Sequence, residues 1–532
     1  MIDPSYLIYF PDPYGVGKSK YFVITKSGIS DLPGSSLAHH ASLVTFDVHT
    51  LVDDLRTNGG SLPSKLIDIT DALRLYAGMS RADGGEKRWN FWKNIKGDFG
   101  NQEAWKDLHR ISSSYEAVPD GDRLNKLVTE FSKAVDVFWK KIVKNLRQAG
   151  EFDRFFEIEV PAAQIFYHRQ FLGIPINRQR VDEFTSLASK ERYSSYQAVS
   201  SVLNISATGL SYWNVGSRLP LTDLGLPSAD VTGYALRDQM KLASQRSRFA
   251  QEFTKYLDAS RDMDILARLS GASDRVFPTF HPVGTISSRI LIADPYIQEL
   301  RRRYRAVVDA EPGLVLRYFD YSQFEPGVMA SLSGDVDLVV MYNDGDVYTA
   351  LSLAVFGDHE HRQLCKRVFL AFSYGMSIDA IALLLCGKGS GSTEIQDMKR
   401  KIAQFFDRFK VLTRFKAGLE ERLMRDGKIE TLHGNFRRRL GSGPLSPKER
   451  RWAVSQVIQG TASLIFKCAL IEIQRVFGTN SLLVPVHDAI LMQLPEDDAE
   501  ENQRQIRELM QASFRRYCPD VNVRVTCGAF HE

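Results

Sequence analysis

The chain has little cysteine and uses it without pattern. Cys365, Cys386, Cys468, Cys518 and Cys527 are its five. No two stand at a CxxC spacing, so neither a zinc site nor a disulfide framework is indicated. No apolar run approaches the ~18 residues that cross a bilayer. The N-terminus, MIDPSYLIYFPDP, has neither a charged leader nor an apolar h-region. The expectation is an intracellular, cytoplasmic protein with no membrane partner. Internal repeats and low-complexity tracts are lacking too, which leaves ordinary globular domains. Charge of one sign is also scarce: 68 basic against 64 acidic residues leave a net +4, which permits a polyanionic partner without demanding one.

What is present is material for two to four domains: 532 residues, 44% apolar and 25% charged, as in ordinary folded proteins. The basic residues cluster locally. ELRRRYRAV holds Arg301, Arg302, Arg303 and Arg305, and HGNFRRRL holds Arg437, Arg438 and Arg439. Both clusters read as phosphate contacts or as solvated faces. Residues 1 to about 85 mix short strands and turns (SYLIYF, KYFVIT, SLVTFDVHTLVDDL, LIDITDALRLYAG), an order that suggests a small α/β unit. Residues 86 to about 150, with Trp89, Trp92, Trp105 and Trp139, read as helices. The helical pattern continues to about Leu269, interrupted near Gly216 to Gly233. Strands return at Arg275–Phe280 and Gly313–Phe319, helices fill 346–433, and SLLVPVHDAILMQLP and VNVRVTCG read as strands.

Three stretches carry chemistry. The run GLVLRYF (Gly313–Phe319) reads as a strand buried on both faces, with Asp320 where the strand gives out and a second carboxylate, Glu325, five residues on. A lone aspartate there is ordinarily a turn residue. In SLLVPVHDAILMQL, His487 and Asp488 sit at or near the tip of a tight strand–turn–strand, and Pro485 points to a sheet edge or bulge. Two such aspartates meeting in space can hold two divalent cations for an in-line phosphoryl displacement, and carboxylates suit Mg²⁺. Between them, HRQLCKRVFLAFSYGMS spaces Arg362, Lys366, Leu370 and Tyr374 by four, a single helical stripe drifting roughly 40° per step. A triphosphate would lie on Arg362 and Lys366, with a base stacked toward Tyr374. The bland alternative is an amphipathic helix with solvated cations.

The order of these elements resembles the family A DNA polymerases, the group of bacterial DNA polymerase I and many phage replicases. DYSQFE followed by SGD is similar to that family's first palm motif, Arg362-x₃-Lys366-x₇-Tyr374-Gly375 to its fingers motif, and VHDAI to its third motif. GTISSRILIADPYIQ, GKIETLHGNFRR and RWAVSQVIQGTASLIFK resemble three further segments, in the family's order. The match runs from about Glu157 to the C-terminus.

The resemblance implies an α/β (α+β) right-hand polymerase. Residues 154–532 would form it: a thumb near 170–290, a palm near 291–345 and 440–532, and fingers near 346–439. Asp320 and Asp488, with the backbone carbonyl of Tyr321, would bind two Mg²⁺ ions, for which Mn²⁺ can substitute. Lys366 would donate a proton to pyrophosphate and, with Arg362, hold the phosphates. Leu370, Gln323 and Tyr348 would complete the nucleotide site, and Tyr374 would pack at the templating position. Glu325 would sit against the sugar and crowd out a 2′-hydroxyl. Thr285, Arg289, Gln298, Arg451, Gln459 and His487 would touch the DNA, minor-groove contacts needing no sequence preference. The implied partners are primer-template DNA, dNTPs and accessory replication proteins, the chain itself acting as a monomer.

The sequence departs from the family pattern in places. Ala489 stands where a third carboxylate is usual, which predicts reduced metal affinity rather than loss of activity. Leu370 replaces an aromatic, Tyr348 a histidine, Ser455 an asparagine, and Pro326-Gly327 a Leu-Arg pair. In many members a proofreading exonuclease precedes the polymerase. Residues 1–153 would be such a domain: the stretch LVTFDVHTLVDDLRTNGGSLPSKLIDITDALRLYAG is similar to its middle, with Asp47 and Asp68 or Asp71 in the right neighbourhood. No Asp-x-Glu occurs in the first strands and no convincing Tyr-x₃-Asp follows, so two-metal hydrolysis should fail. The expectation is a degenerate 3′-5′ exonuclease-like (RNase H-like) domain in a phage or mobile-element replicase. The rival readings are a single-subunit RNA polymerase-like enzyme and a catalytically inactive DNA-binding relative.

Overall fold

The first strands form a five-stranded sheet. In the computed structural model, which describes residues 4–12, 19–113, 117–203, 211, 219, 224, 233–271, 273–386, 391–497 and 499–531, β1 (Tyr6–Phe10) pairs antiparallel with β2 (Lys20–Thr25) and parallel with β4 (Leu43–Thr45). With β3 (Gly28–Leu32) and β5 (Leu66–Asp68) at the edges, the order is β3-β2-β1-β4-β5. All five β1 side chains are buried, which is why this strand reads as a continuous apolar run rather than an alternation. Helices α1 (Val48–Thr57), α2 (Ile69–Ala77) and α3 (Gly121–Ala149) belong to this body. α3 buries Leu124, Leu127, Val128, Phe131, Val135 and Phe138 at helical spacing. The expected interruption near Gly216 to Gly233 falls largely outside the described residues.

A single π-turn, Phe155–Glu159, leads into α4 (Val160–Leu172). This helix serves two cores: Ala163 and Tyr167 pack in the N-terminal one, Ile165 and Phe166 in the second, which extends to Phe530. α5 (Arg178–Leu203) and α6 (Arg248–Ser270) pack along each other. The hairpin of β6 (Thr279–His281) and β7 (Leu291–Ala293) follows. Then come β8 (Leu314–Tyr321), α7 (Phe324–Ser333), α8 (Val347–Phe356) and α9 (Arg362–Ser373). The hairpin of β9 (Lys428–Thr431) and β10 (Gly434–Arg438) precedes α10 (Pro447–Phe477). β11 (Leu482–Val486), β12 (Ala489–Pro495) and β13 (Val525–Gly528) complete a four-stranded antiparallel sheet of order β11-β12-β8-β13.

β11 is an edge strand with a register shift between Leu482 and Val484, so Pro485 sits where a missing N–H is tolerated. Two expectations need correction. β8 is not buried along its whole length: Leu314–Arg317 are half-buried and only Tyr318, Phe319 and Tyr321 are buried. The reason is that β13 flanks it only from Tyr318 onward. Asp320 also lies inside the strand, not beyond its end, between Ala489 and Thr526 on the neighbouring strands. In VNVRVTCG only the last four residues are strand.

α10 is long and apolar enough by composition to cross a membrane. Here it runs through the core, with residues from Trp452 to Ile473 buried on nearly every side; a helix that is apolar all round is a buried one. Ser446 and Glu449 form a capping box before Pro447 at the helix start.

The β9–β10 hairpin ties the two halves together, and it corrects the reading of one arginine cluster as phosphate contacts. Arg437 donates to Asp83 at 2.8 Å and lies 4.4 Å over the Trp452 ring. Arg438 donates its backbone N–H to Gly78 at 2.8 Å, and Arg439 pairs with Glu449 at 2.7 Å. The Arg437 and Arg439 guanidinia and the Arg438 backbone hold the fold.

Candidate active site

The sheet register places the two aspartates. Asp320 is opposite Ala489 on β12. Val486 pairs with Ala489, leaving His487 and Asp488 as a two-residue turn. His487 takes φ +59°, the positive φ that such tight hairpin turns require. Asp320 and Asp488 therefore line one cleft of about 540 Å³. Burial, reinforced by the charges of Asp320 and Glu325, pushes the Asp488 carboxyl up to about 7, against the pull of Lys366 and Arg289. Burial likewise raises Asp320, with Lys366, Arg302 and Arg305 opposing it. Two half-buried carboxylates that disfavour each other's charge, both presenting hard oxygen donors, fit a divalent cation, whose charge would relieve that repulsion.

The same cleft collects most of the residues singled out in the sequence: Tyr321, Gln323, Glu325, Tyr348, Lys366, Leu370, Arg289 and His487. Gln323 starts α7 in the left-handed region, φ +53°, and its Oε1 accepts the Val347 N–H at 2.8 Å, pinning α7 to α8. Glu325 is clamped from two sides: Arg289 donates to one carboxylate oxygen and the Tyr374 hydroxyl to the other. Gln459, on α10 and outside the cleft lining, lies near the Tyr374 hydroxyl. Burial would lower the Arg289 pKa, but the Glu325 charge and hydrogen bond outweigh that and raise it, so this guanidinium stays charged. Burial and the Glu325 charge push the Tyr374 phenol well above its usual range, so it remains a donor. His487 is exposed at the hairpin tip, and the crowded cleft wall beside it, with Arg289 and Arg305 nearby, lowers its pKa, leaving a neutral imidazole at neutral pH.

The helical stripe of α9 holds with one exception. Lys366 and Leu370 face the cleft and Tyr374 reaches Glu325. Arg362 turns aside: it donates to Asp346 at 2.5 Å and lies 5.5 Å over the Tyr348 ring. Thr285, Gln298 and Arg451 lie outside the cleft lining. Thr285 Oγ1 accepts the Arg289 N–H at 3.0 Å, so it acts on the cleft through the backbone. Gln298 is buried in the turn Ile297–Glu299. Arg451 is exposed on α10 and runs beside Gly375, where an added Cβ would come within 3.0 Å of its Cγ.

Three residues in or beside the cleft escaped the sequence reading. Asp346 was legible as a helix cap: Asp-x-x-Thr precedes an apolar run, and its carboxylate accepts the Thr349 N–H at 2.8 Å. Its hold on Arg362 had no local signal. Arg302 and Arg305 were read only as part of a cluster. That cluster divides: Arg301 and Arg303 pair with Glu191, and Arg301 also with Asp262, while Arg302 and Arg305 line the cleft facing Asp320.

Comparisons with known proteins agree with this geometry. The family model for DNA polymerase family A matches residues 225–530. DNA polymerase I of Chloroflexus aurantiacus is 24% identical over 421 residues, covering 71% of this chain and 43% of the relative. The thermostable DNA polymerase I of Thermus filiformis is 32% identical over 290 residues, 50% of this chain and 33% of the relative. The chain thus spans less than half the length of these curated relatives. Among solved structures, the POL domain of Pol1 from M. smegmatis, in complex with DNA primer-template and dNTP, is similar in fold, with a TM-score of 0.74 at 20% identity over 99% of this chain and 95% of that one.

Proposed function

The chain belongs to DNA polymerase family A, and we propose that it is a template-directed DNA polymerase extending a primer 3′ end with dNTPs. The observation that carries this reading is the cleft itself, in which the Asp320–Asp488 pair meets Lys366 and the clamped Glu325. Asp320, Asp488 and the Tyr321 carbonyl would hold two Mg²⁺ ions. When bound, these supply Lewis acidity at the primer hydroxyl and charge neutralisation at the leaving pyrophosphate. The chain's own residues do the rest. Lys366, on the cleft side of α9, meets the triphosphate and is the proton donor to the departing pyrophosphate. Arg362 adds a second cation once it leaves Asp346. Glu325, immobilised by Arg289 and Tyr374, excludes a 2′-hydroxyl. Gln459 and His487, neutral and near the nascent pair, read the duplex by hydrogen bonding.

We keep the proposed division: a thumb near 170–290, a palm near 291–345 and 440–532, and fingers near 346–439. The N-terminal body is read as a degenerate exonuclease-like domain, and the sheet order β3-β2-β1-β4-β5 with one antiparallel flank supports its RNase H-like character. Its candidate carboxylates have other work. Asp68 caps α2 through the Thr70 N–H at 2.7 Å, Asp47 accepts from Thr50 at 2.8 Å, and Asp71 accepts from Tyr167 at 3.3 Å. β1 offers only YLIYF, with no carboxylate. A phage or mobile-element replication context fits this arrangement.

One primer-extension assay tests the reading, run with separate dNTP and NTP pools and Mg²⁺. Extension with dNTPs alone is expected. Extension only with NTPs would favour an RNA polymerase-like enzyme, and none with either an inactive relative.

A further inference from the structure

A buried ion pair acts on the residue just before Arg289. Glu159 closes the π-turn Phe155–Glu159, and Lys467 lies in α10; their side chains are 1% and 0% exposed. The Lys467 ammonium donates to Glu159, to the Pro282 carbonyl at 2.8 Å and to Ser288 Oγ at 2.8 Å. Arg154 Nε donates to the same carboxylate at 2.9 Å, and Ser288 Oγ donates to it at 2.8 Å. Ser463 Oγ donates to the Ser288 carbonyl at 2.6 Å. Hydroxyl and carbonyl of one serine are thus held by three side chains from two distant segments.

That serine needs holding. Ser288 is fully buried and sits at φ +60°, a left-handed conformation that residues other than glycine adopt at a cost. It fixes where the chain goes next. The Arg289 N–H is tied to Thr285 Oγ1 at 3.0 Å and its guanidinium reaches Glu325. Desolvation cancels much of the Coulomb gain of a buried Lys–Glu pair, so such a pair is a poor device for stability alone. What it supplies here is geometry, since one ammonium and one carboxylate converge on a single strained residue. The π-turn that carries Glu159 is itself an uncommon backbone form, found most often at functional sites.

We propose that Ser288, clamped by Glu159, Lys467 and Ser463, is a positioning residue for sugar selection. It keeps the backbone left-handed so that Arg289 is aimed at Glu325, and Glu325 is thereby held where the sugar's 2′ position must pass. The π-turn between the N-terminal body and the polymerase half then contributes directly to nucleotide choice. This rests on the reading of Glu325 given above.

The test is the ratio of kcat/KM for dNTP over the matching NTP in Ser288→Gly, Ser463→Ala, Ser463→Thr, Glu325→Ala and the double variant Ser288→Gly/Glu325→Ala. Glycine takes φ +60° without strain, so Ser288→Gly removes the hydroxyl's contacts with Glu159 and Lys467 while sparing the fold. The expected result is a roughly tenfold fall in the ratio, about 1.4 kcal/mol of discrimination, in Ser288→Gly and Ser463→Ala. Ser463→Thr, which keeps the hydroxyl, should retain the wild-type ratio. The double variant should match Glu325→Ala alone, because the clamp acts through that carboxylate. Unchanged ratios in Ser288→Gly and Ser463→Ala beside a lowered one in Glu325→Ala would overturn the clamp and leave the Glu325 reading standing. A double variant worse than Glu325→Ala by the full Ser288→Gly factor would also overturn it, since Ser288 would then act elsewhere. An unchanged ratio in Glu325→Ala would overturn the sugar-selection reading and the proposal together.

Discussion

Arg362 donates to Asp346 at 2.5 Å, so the first cation of the α9 stripe is held by a helix cap and not by the cleft. An incoming triphosphate must compete with that carboxylate. Asp346→Asn keeps a side-chain oxygen for capping α8 and removes the competing charge. The expected outcome is a dNTP KM lower by about two- to fivefold, the worth of a partly exposed ion pair, with the effect shrinking at high salt. Steady-state incorporation at two ionic strengths checks it; an unchanged or raised KM would show that Arg362 does not meet the nucleotide.

The proposed metal site makes a two-sided prediction. Asp320→Ala and Asp488→Ala should each abolish incorporation while primer-template binding persists, as EDTA should for the unaltered enzyme. Ala489 lies directly opposite Asp320 in the sheet, and cross-strand partners share a face. A carboxylate at 489 would therefore point to the same side as Asp320. Ala489→Glu should lower the Mg²⁺ concentration for half-maximal activity, measured by titration. Near-normal extension by either alanine variant would sink the assignment.

The sequence reveals such sites unevenly. Asp320, Asp488, Lys366 and Tyr374 were legible because each sits in a local pattern: a strand, a two-residue turn, a four-residue helical spacing. The meeting of Asp320, Asp488 and Lys366 in one cleft could be expected only from the order of the family-like motifs and not from periodicity, because it depends on β12 lying beside β8 across 160-odd residues of chain, a non-local pairing that leaves no periodic trace. The arginine clusters were legible as charge but not as function. Whether Arg437 meets a phosphate or Asp83 is decided by a partner some 350 residues away in sequence. β8 was read as buried throughout because an apolar run does not report how far a neighbouring strand extends.

The N-terminal body should not trim DNA. Asp68 is buried and pushed up to about 7, by burial first and then by the charges of Asp71 and Asp47, and its oxygens already serve the Thr70 and Val48 N–H groups. The expected outcome is no metal-dependent 3′→5′ loss from a labelled single strand. Rapid trimming abolished by Asp47→Ala would show a working nuclease.

Asp83 joins the two halves through Arg437 and Lys448. Burial would raise its pKa, but the Ser80 hydroxyl and the two cations outweigh that and hold it below the usual carboxylate range. A depressed folded pKa means the contribution to stability is present above the unfolded value, near pH 4, and is lost as pH falls through the folded one. Asp83→Asn should therefore lower the Tm at pH 7 and converge on the unaltered protein toward pH 3. Parallel Tm curves over that range would show that the bridge contributes nothing.

Leu370 should make the enzyme select strongly against dideoxynucleotides. It stands one turn from Lys366 and one from Tyr374 and lines the same cleft as Lys366 and Asp320, so on the proposed reading its side chain would face the sugar of an incoming nucleotide. A tyrosine there could place a hydroxyl near the 3′ carbon and replace a missing 3′-OH as a hydrogen-bonding partner. Leucine has no such donor, so the nucleotide must bring its own. One hydrogen bond to a charged phosphate contributes roughly 1.5–3 kcal/mol, or about ten- to a hundredfold in rate. Leu370→Tyr should narrow the dNTP:ddNTP ratio by that order in single-nucleotide incorporation. An unchanged ratio in an otherwise active variant would mean that α9 does not present this position to the sugar.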